Sequence, residues 1–259
     1  MEKNNIIVPI AIILAGGLIG AGIYFNGQGL KGKTTTYEKE TAKTSYSISI
    51  PNIKTGDHVL GTRTAPIIFV EYSDMECPYC KGFHQTMNKI VSEYSDKIAW
   101  VYRHMPIETL HKKAKNEAHA TECVAELAGE AKFWDFINKI YNITTSNDRL
   151  DQTLLAKTAK ELDVNEKDFA SCMTSDRHMA KIEESIEEAK GAGITGTPTT
   201  VVLLKNPAKQ GVVDFIDDVN LQLGLPPKLF SITDDRTKIF IGGNLQYSVL
   251  NQLIKALSI

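Results

Sequence analysis

Between residues 65 and 105 the chain passes from an apolar stretch (APIIFVEY, 65–72) through Cys77-Pro78-Tyr79-Cys80 into a helical pattern. It then leaves in a second apolar stretch (KIAWVYRHM, 97–105). The first stretch is almost continuously apolar, as expected of a strand buried on both faces. Cys80, Phe83, Met87, Ile90 and Tyr94 recur at three- and four-residue spacing, which is one face of a helix. Strand, helix and strand at this spacing form a right-handed βαβ unit with parallel strands. The chain is therefore predicted to be α/β, with both cysteines at the strand-to-helix junction.

After that unit, residues 108–190 carry only helical patterns. Ala120, Cys123, Val124 and Leu127 share one face, and Phe133, Trp134, Ile137, Ile140 and Tyr141 mark a second helix. Leu154, Leu155 and Leu162 mark a third. Phe169, Cys172 and Met173 follow behind an Asn165 N-cap, and Met179, Ile182, Ile186 and Ala189 precede the glycines 191 and 193. Strand patterns return at 199–205 and 237–242, and a last helix is expected over about 244–258. The insertion of about 107–192 reads as an all-helical lid. The extra segment of about 206–236 is too long for a hairpin turn and carries no single pattern.

Residues 6–25 hold no charge and are long enough to cross a hydrocarbon core as a helix. Lys3 on one side and Lys31 and Lys33 on the other leave its orientation open. An uncleaved N-terminal membrane anchor over 1–26 is the expectation, and a cleaved signal peptide is the competing reading. A Gly-, Thr- and Lys-rich linker follows (27–52), and the globular part is expected over 53–259. A net charge of −2 with no basic block argues against nucleic acid as a partner.

A thiol at a helix N-terminus meets unpaired N–H groups and the positive end of the helix dipole. This lowers the pKa of Cys77 and makes it both a nucleophile and a leaving group. Cys80, one turn later, heads the apolar stripe and should be shielded, with a higher pKa. An exposed attacking thiol beside a buried one suits a redox couple, and Pro78 fits the first helical turn. A CxxC can also be half of a zinc site, but Cys123 and Cys172 are distant and isolated. His84 reads as a surface residue, and no metal or cofactor is expected. Thr197-Pro198 stands just before a strand, at an edge, in a special turn or as a cis bond.

The stretches HVLGTRTAPIIFVEYSDMECPYCKGF, ATECVAELAGEAKFWDFINKIY and AGITGTPTTVV, in that order, resemble the DsbA-like thioredoxin-fold family of thiol-disulfide oxidoreductases, of membrane-anchored or secreted type. The resemblance covers about residues 53–204 and 237–258. It implies a thioredoxin fold interrupted by a helical domain, with a cis-Pro198 loop packed on Cys77. It further implies that Pro78, Tyr79, Thr197, Pro198 and Gly242 border the substrate, partly by strand addition, and that Glu71 is a buried acid exchanging protons with Cys80. Some family members carry a structural disulfide in the helical domain, and Cys123 and Cys172 resemble it; two unpaired thiols are the alternative.

The resemblance implies an extracytoplasmic, single-pass membrane enzyme that introduces disulfides into exported cysteine-containing proteins through a Cys77–Cys80 couple. A membrane redox partner of the DsbB or vitamin K epoxide reductase-like type would reoxidise it. Reductase or isomerase chemistry is the nearest alternative, and a non-catalytic peptide- or metal-binding module the more distant one. Tyr79 stands where strong oxidants of this family carry His. With Asp74 and Glu76 nearby, Cys77 is expected to be less acidic than in those oxidants.

Overall fold

The computed structural model describes residues 49–224 and 229–257. The anchor expected at 1–26 and most of the linker lie outside the described residues. Among the described residues, no helix is long and apolar enough to cross a membrane.

The βαβ unit forms as the periodicity requires. Strand β2 (Ile67–Ser73) leads through the cysteine turn into helix α1 (Pro78–Glu93) and then strand β3 (Ile98–His104). The strands are parallel neighbours, with Ile67 facing Ile98 and Val70 facing Val101. Strand β1 (His58–Gly61) pairs antiparallel with the far side of β3. Five helices then intervene before the sheet resumes: α2 (Ala114–Ala128), α3 (Glu130–Ile143), α4 (Thr153–Glu161), α5 (Glu166–Met173) and α6 (Met179–Gly191). The Asn165 side chain caps α5 by accepting from the N–H groups of Lys167 and Asp168.

Strand β4 (Thr199–Leu204) pairs antiparallel with β2, and β6 (Lys238–Gly242) pairs antiparallel with β4. Between them, the segment without a legible pattern holds helix α7 (Gln210–Leu223) and the edge strand β5 (Phe230–Ile232). Helix α8 (Tyr247–Leu257) closes the described chain. The strand order is β1-β3-β2-β4-β6-β5.

Alternation along the strands sorts the core onto two faces. Phe69, Trp100, Tyr102, Val202 and Ile239 pack with α1, the inserted helices, α7 and α8. Val70, Tyr72, Val101 and Val201 point the other way, onto Ala189 of α6 and Ile194. The cysteine turn thus emerges at the C-terminal edge of the central strand, between the insertion and the loops that enter β4 and leave β6.

Candidate active site

Cys77 is the N-cap of α1, with extended backbone (φ −77°, ψ 121°) and Pro78 immediately inside the helix. Its Sγ donates to the Thr197 carbonyl oxygen at 3.4 Å, and the Thr197-Pro198 bond is cis. Thr197 Oγ1 is buried without another hydrogen-bond partner and is available to a thiolate. Cys80 is fully buried, and its sulfur accepts from the Asp74 N–H at 3.5 Å. Both cysteines are free thiols.

These surroundings separate the two sulfurs. The Cys80 thiol, hydrogen-bonded to Cys77, does most to bring Cys77 down to about 6. The N–H groups of Cys80 and Tyr79 and the Thr197 side chain add to this, while burial opposes it. Burial drives Cys80 well above the ordinary thiol range, and the charges of Cys77 and Glu71 push it further. Cys77 is only 5 % exposed, a correction to the openly exposed thiol expected from the sequence. The cause is the cis-proline loop, which lies over it. Tyr79, at 65 % exposed, is what the turn presents to solvent.

Glu71, on β2, is fully buried, and its Oε2 accepts from Trp100 Nε1 at 2.8 Å. Burial pushes its carboxyl up to about 7. Gly242 ends β6 opposite Thr199. The next residue, Gly243, adopts φ +95°, which a side chain rarely tolerates, and its N–H donates to the Pro198 carbonyl at 2.8 Å. A Cβ on Gly82 of α1 would stand 2.7 Å from Asn244 Nδ2, so α1, the post-β6 loop and the cis-proline loop close on one another at this corner.

Asp74 and Glu76 do not act as the sequence led us to expect. Asp74 accepts from the N–H groups of Glu76 and Ile107, both at 2.8 Å, and pairs with His111 Nδ1 at 2.9 Å. Burial works to lower the His111 pKa, but the Asp74 carboxylate overrides it, and the charge of Cys77 adds to the rise. By reciprocity, a charged His111 favours the Cys77 thiolate. A histidine from beyond β3, when protonated, therefore sets a positive charge near a Cys-Pro-Tyr-Cys turn that carries none of its own.

Glu76 is fully buried, and its carboxylate accepts from the N–H groups of Asp148 (2.8 Å) and Leu150 (3.2 Å). Its carbonyl accepts from Asn147 N–H at 2.8 Å. The inserted domain is thus fastened directly to the residue before Cys77. His84 also departs from expectation. It is buried between Trp100 and Tyr141, bonded to Asn138 Oδ1 at 2.7 Å, and held by burial at a pKa of about 4. Its neighbours come from β3 and α3, which its own helix pattern could not reveal. Cys123 and Cys172 are joined by a disulfide with Cα atoms 5.8 Å apart, far from the cysteine turn in sequence.

A family profile described as Thioredoxin matches residues 54–208. The chain belongs to the thioredoxin family. Among solved structures of this fold it is similar to Wolbachia pipientis alpha-DsbA1, with a TM-score of 0.60 and 23 % identity over 83 % of this chain and 96 % of that one. BdbD from Bacillus subtilis in its oxidised form matches with a TM-score of 0.60 and 19 % identity, over 82 % of this chain and 98 % of the other. Pseudomonas aeruginosa DsbA2 matches with a TM-score of 0.56 and 21 % identity, over 79 % and 96 %. The fold is thus a DsbA-like thioredoxin fold. The Na(+)/H(+) antiporter NhaA 3 of Salinispora tropica is 31 % identical over 146 residues, which is 56 % of this chain but 21 % of the antiporter. The chain therefore spans about a fifth of the length of that curated relative.

Proposed function

We propose that this thioredoxin-family protein is a thiol-disulfide oxidoreductase that introduces disulfides into exported proteins. The observation that carries the reading is the division of labour at α1. Cys77 is acidic, at about 6, against the Thr197 carbonyl, while Cys80 is buried and held protonated beneath it. In the oxidised enzyme, a substrate thiolate attacks Cys77 Sγ and breaks the Cys77–Cys80 bond, and Cys80 departs as a thiolate. A proton from the Glu71 carboxyl is available to that buried thiolate. The substrate's second thiolate then displaces Cys77, whose low pKa makes it the better leaving group. The substrate leaves oxidised by two electrons and the enzyme as a dithiol.

The Thr197 and Pro198 backbone and the exposed Tyr79 ring form the surface for an extended substrate segment, with Pro78 and Gly242 at its edges. The Cys123–Cys172 bridge supports an oxidising compartment, and the apolar stretch at 6–25 supports a tether to the cell membrane with the domain outside. A membrane partner of the DsbB or vitamin K epoxide reductase-like type would take the electrons. Trapping tests the reading: Cys80→Ala should accumulate mixed disulfides through Cys77 with exported cysteine-containing proteins. A trap that captures no such protein contradicts it. A reduction potential near −270 mV, the thioredoxin value, would instead favour the reductase direction.

A further inference from the structure

The Cys123–Cys172 bridge has histidines on both sides. His119 lies one turn before Cys123 on α2, and His178 is the N-cap of α6, six residues after Cys172. The ligand atoms of His119, Cys123 and Cys172 all lie within 4.8 Å of one another, as do those of Glu126, Cys172 and His178. The two imidazoles meet with ring centroids 5.8 Å apart. His119 is 1 % exposed, yet its Nε2 has no hydrogen-bond partner. A buried polar atom left in that state costs about 1–3 kcal/mol, so it calls for an explanation. His178 Nε2 lies 2.6 Å from Glu126 Oε2 but is not aligned for a hydrogen bond, so it too is a buried ring nitrogen without a hydrogen-bond partner.

The geometry points to a redox-gated site for a thiophilic divalent cation, zinc above all, held by Cys123, Cys172, His119 and His178 when the bridge is reduced. Two thiolates and two neutral imidazoles are a tetrahedral zinc set, and two thiolates neutralise the ion, as a buried site requires. At Zn–N distances of about 2.0–2.1 Å, two imidazoles sharing a tetrahedral ion hold their centroids roughly 5 Å apart. Ring rotation covers the difference from the separation found. The site uses neither Cys77 nor Cys80 and does not depend on the exchange reading.

The chemistry balances with an external dithiol as reductant. One of its thiolates attacks a bridge sulfur and breaks the Cys123–Cys172 bond, and its second thiolate resolves the mixed disulfide. The dithiol leaves as a disulfide, and two thiols remain. Zinc then forms two Zn–S and two Zn–N bonds, and two protons pass to solvent. The metal would hold α2, α5 and the start of α6 together in the state that lacks the bridge.

The test uses the full chain with Cys77→Ser and Cys80→Ser, so that only the bridge cysteines remain. It is reduced with dithiothreitol in mild denaturant, then desalted and refolded without oxygen. Cobalt(II) serves as the spectroscopic probe and zinc as its competitor. The expected result is one cobalt per reduced chain with a tetrahedral thiolate spectrum, displaced by one zinc, and no binding by the oxidised chain. His119→Gln and His178→Gln should each weaken binding about tenfold or more. If His119→Gln does not fold, His178→Gln, at a half-buried helix start, decides the matter. The proposal is overturned by no stoichiometric binding, by equal binding to the oxidised chain, or by indifference to the histidines. A reduced chain that does not refold even with metal overturns it too.

Discussion

Trp100 Nε1 donates to Glu71 Oε2 at 2.8 Å, while Glu71 Oε1 has no hydrogen-bond partner in a fully buried position. The carboxyl is therefore anchored at one oxygen and poorly solvated, and burial raises it from 4.5 to about 7. The folded state holds this proton more tightly than the unfolded chain does. Stability from the group is complete below pH 4.5, declines as pH rises, and is lost above about 7, a loss on the order of 3 kcal/mol. In Glu71→Gln that decline should disappear, as urea unfolding at pH 4.5 and pH 8 will show. Exchange with substrate should slow by roughly a hundredfold if the carboxyl moves the Cys80 proton. Unchanged exchange would limit Glu71 to a structural role.

His111 is paired with Asp74 and feels the charge of Cys77. His111→Gln should raise the pH midpoint for alkylation of Cys77 and make the couple less oxidising, with the far-ultraviolet spectrum unchanged. An unmoved midpoint would show that His111 serves only to tie Asp74 and its loop together.

The parts of this arrangement legible in the sequence are those carried by local pattern. The β2–α1–β3 unit, the helices of the insertion and the Cys77–Cys80 turn all follow from spacing within a few residues. The cis-Pro198 loop and the buried Glu71 were reached only through resemblance, because nothing local to either residue requires them. The strands β1 and β5 are too short to show a period. The Glu76 attachment was hidden for another reason. Its partners lie more than seventy residues away, in a loop where Ser146, Asn147 and Asp148 are all left-handed (φ 61°, 56° and 62°). An acid beside a thiol suggests repulsion, and only the fold shows that its lone pairs are already taken up by the backbone.

Glu117 stands against Glu76, with its Oε1 accepting from Gln152 Nε2 at 2.7 Å and its Oε2 otherwise unpartnered. Burial, then the neighbouring Glu76 carboxyl, pushes its carboxyl up to about 9, so that Glu117 keeps a proton through neutral pH and can offer it to Glu76. Stability from this proton is complete below pH 4.5 and is lost as pH rises through about 9. A glutamine amide makes the same donation at every pH. Glu117→Gln should therefore melt higher than wild type at pH 9 and close to it at pH 4.5. Parallel melting curves at both values would contradict the shared proton.

The Cys123–Cys172 disulfide spans a sequence separation of 49. Closing a loop of that size restricts the unfolded chain by about 4 kcal/mol on the chain-entropy argument. The double variant Cys123→Ala, Cys172→Ala should lose about that much stability to urea in metal-free buffer, yet keep exchange activity below its melting point. Loss of activity in a chain that is still folded would give the bridge a catalytic part that the structure does not assign it.

The account rests on the ionisation of Cys77. Its rate of alkylation in the reduced wild-type protein, followed by mass spectrometry across pH 4 to 10, tests this most directly. The account predicts a midpoint near pH 6, with Cys80 unlabelled throughout the folded range. A midpoint at or above about 8.5, the value of an ordinary free cysteine, would contradict it.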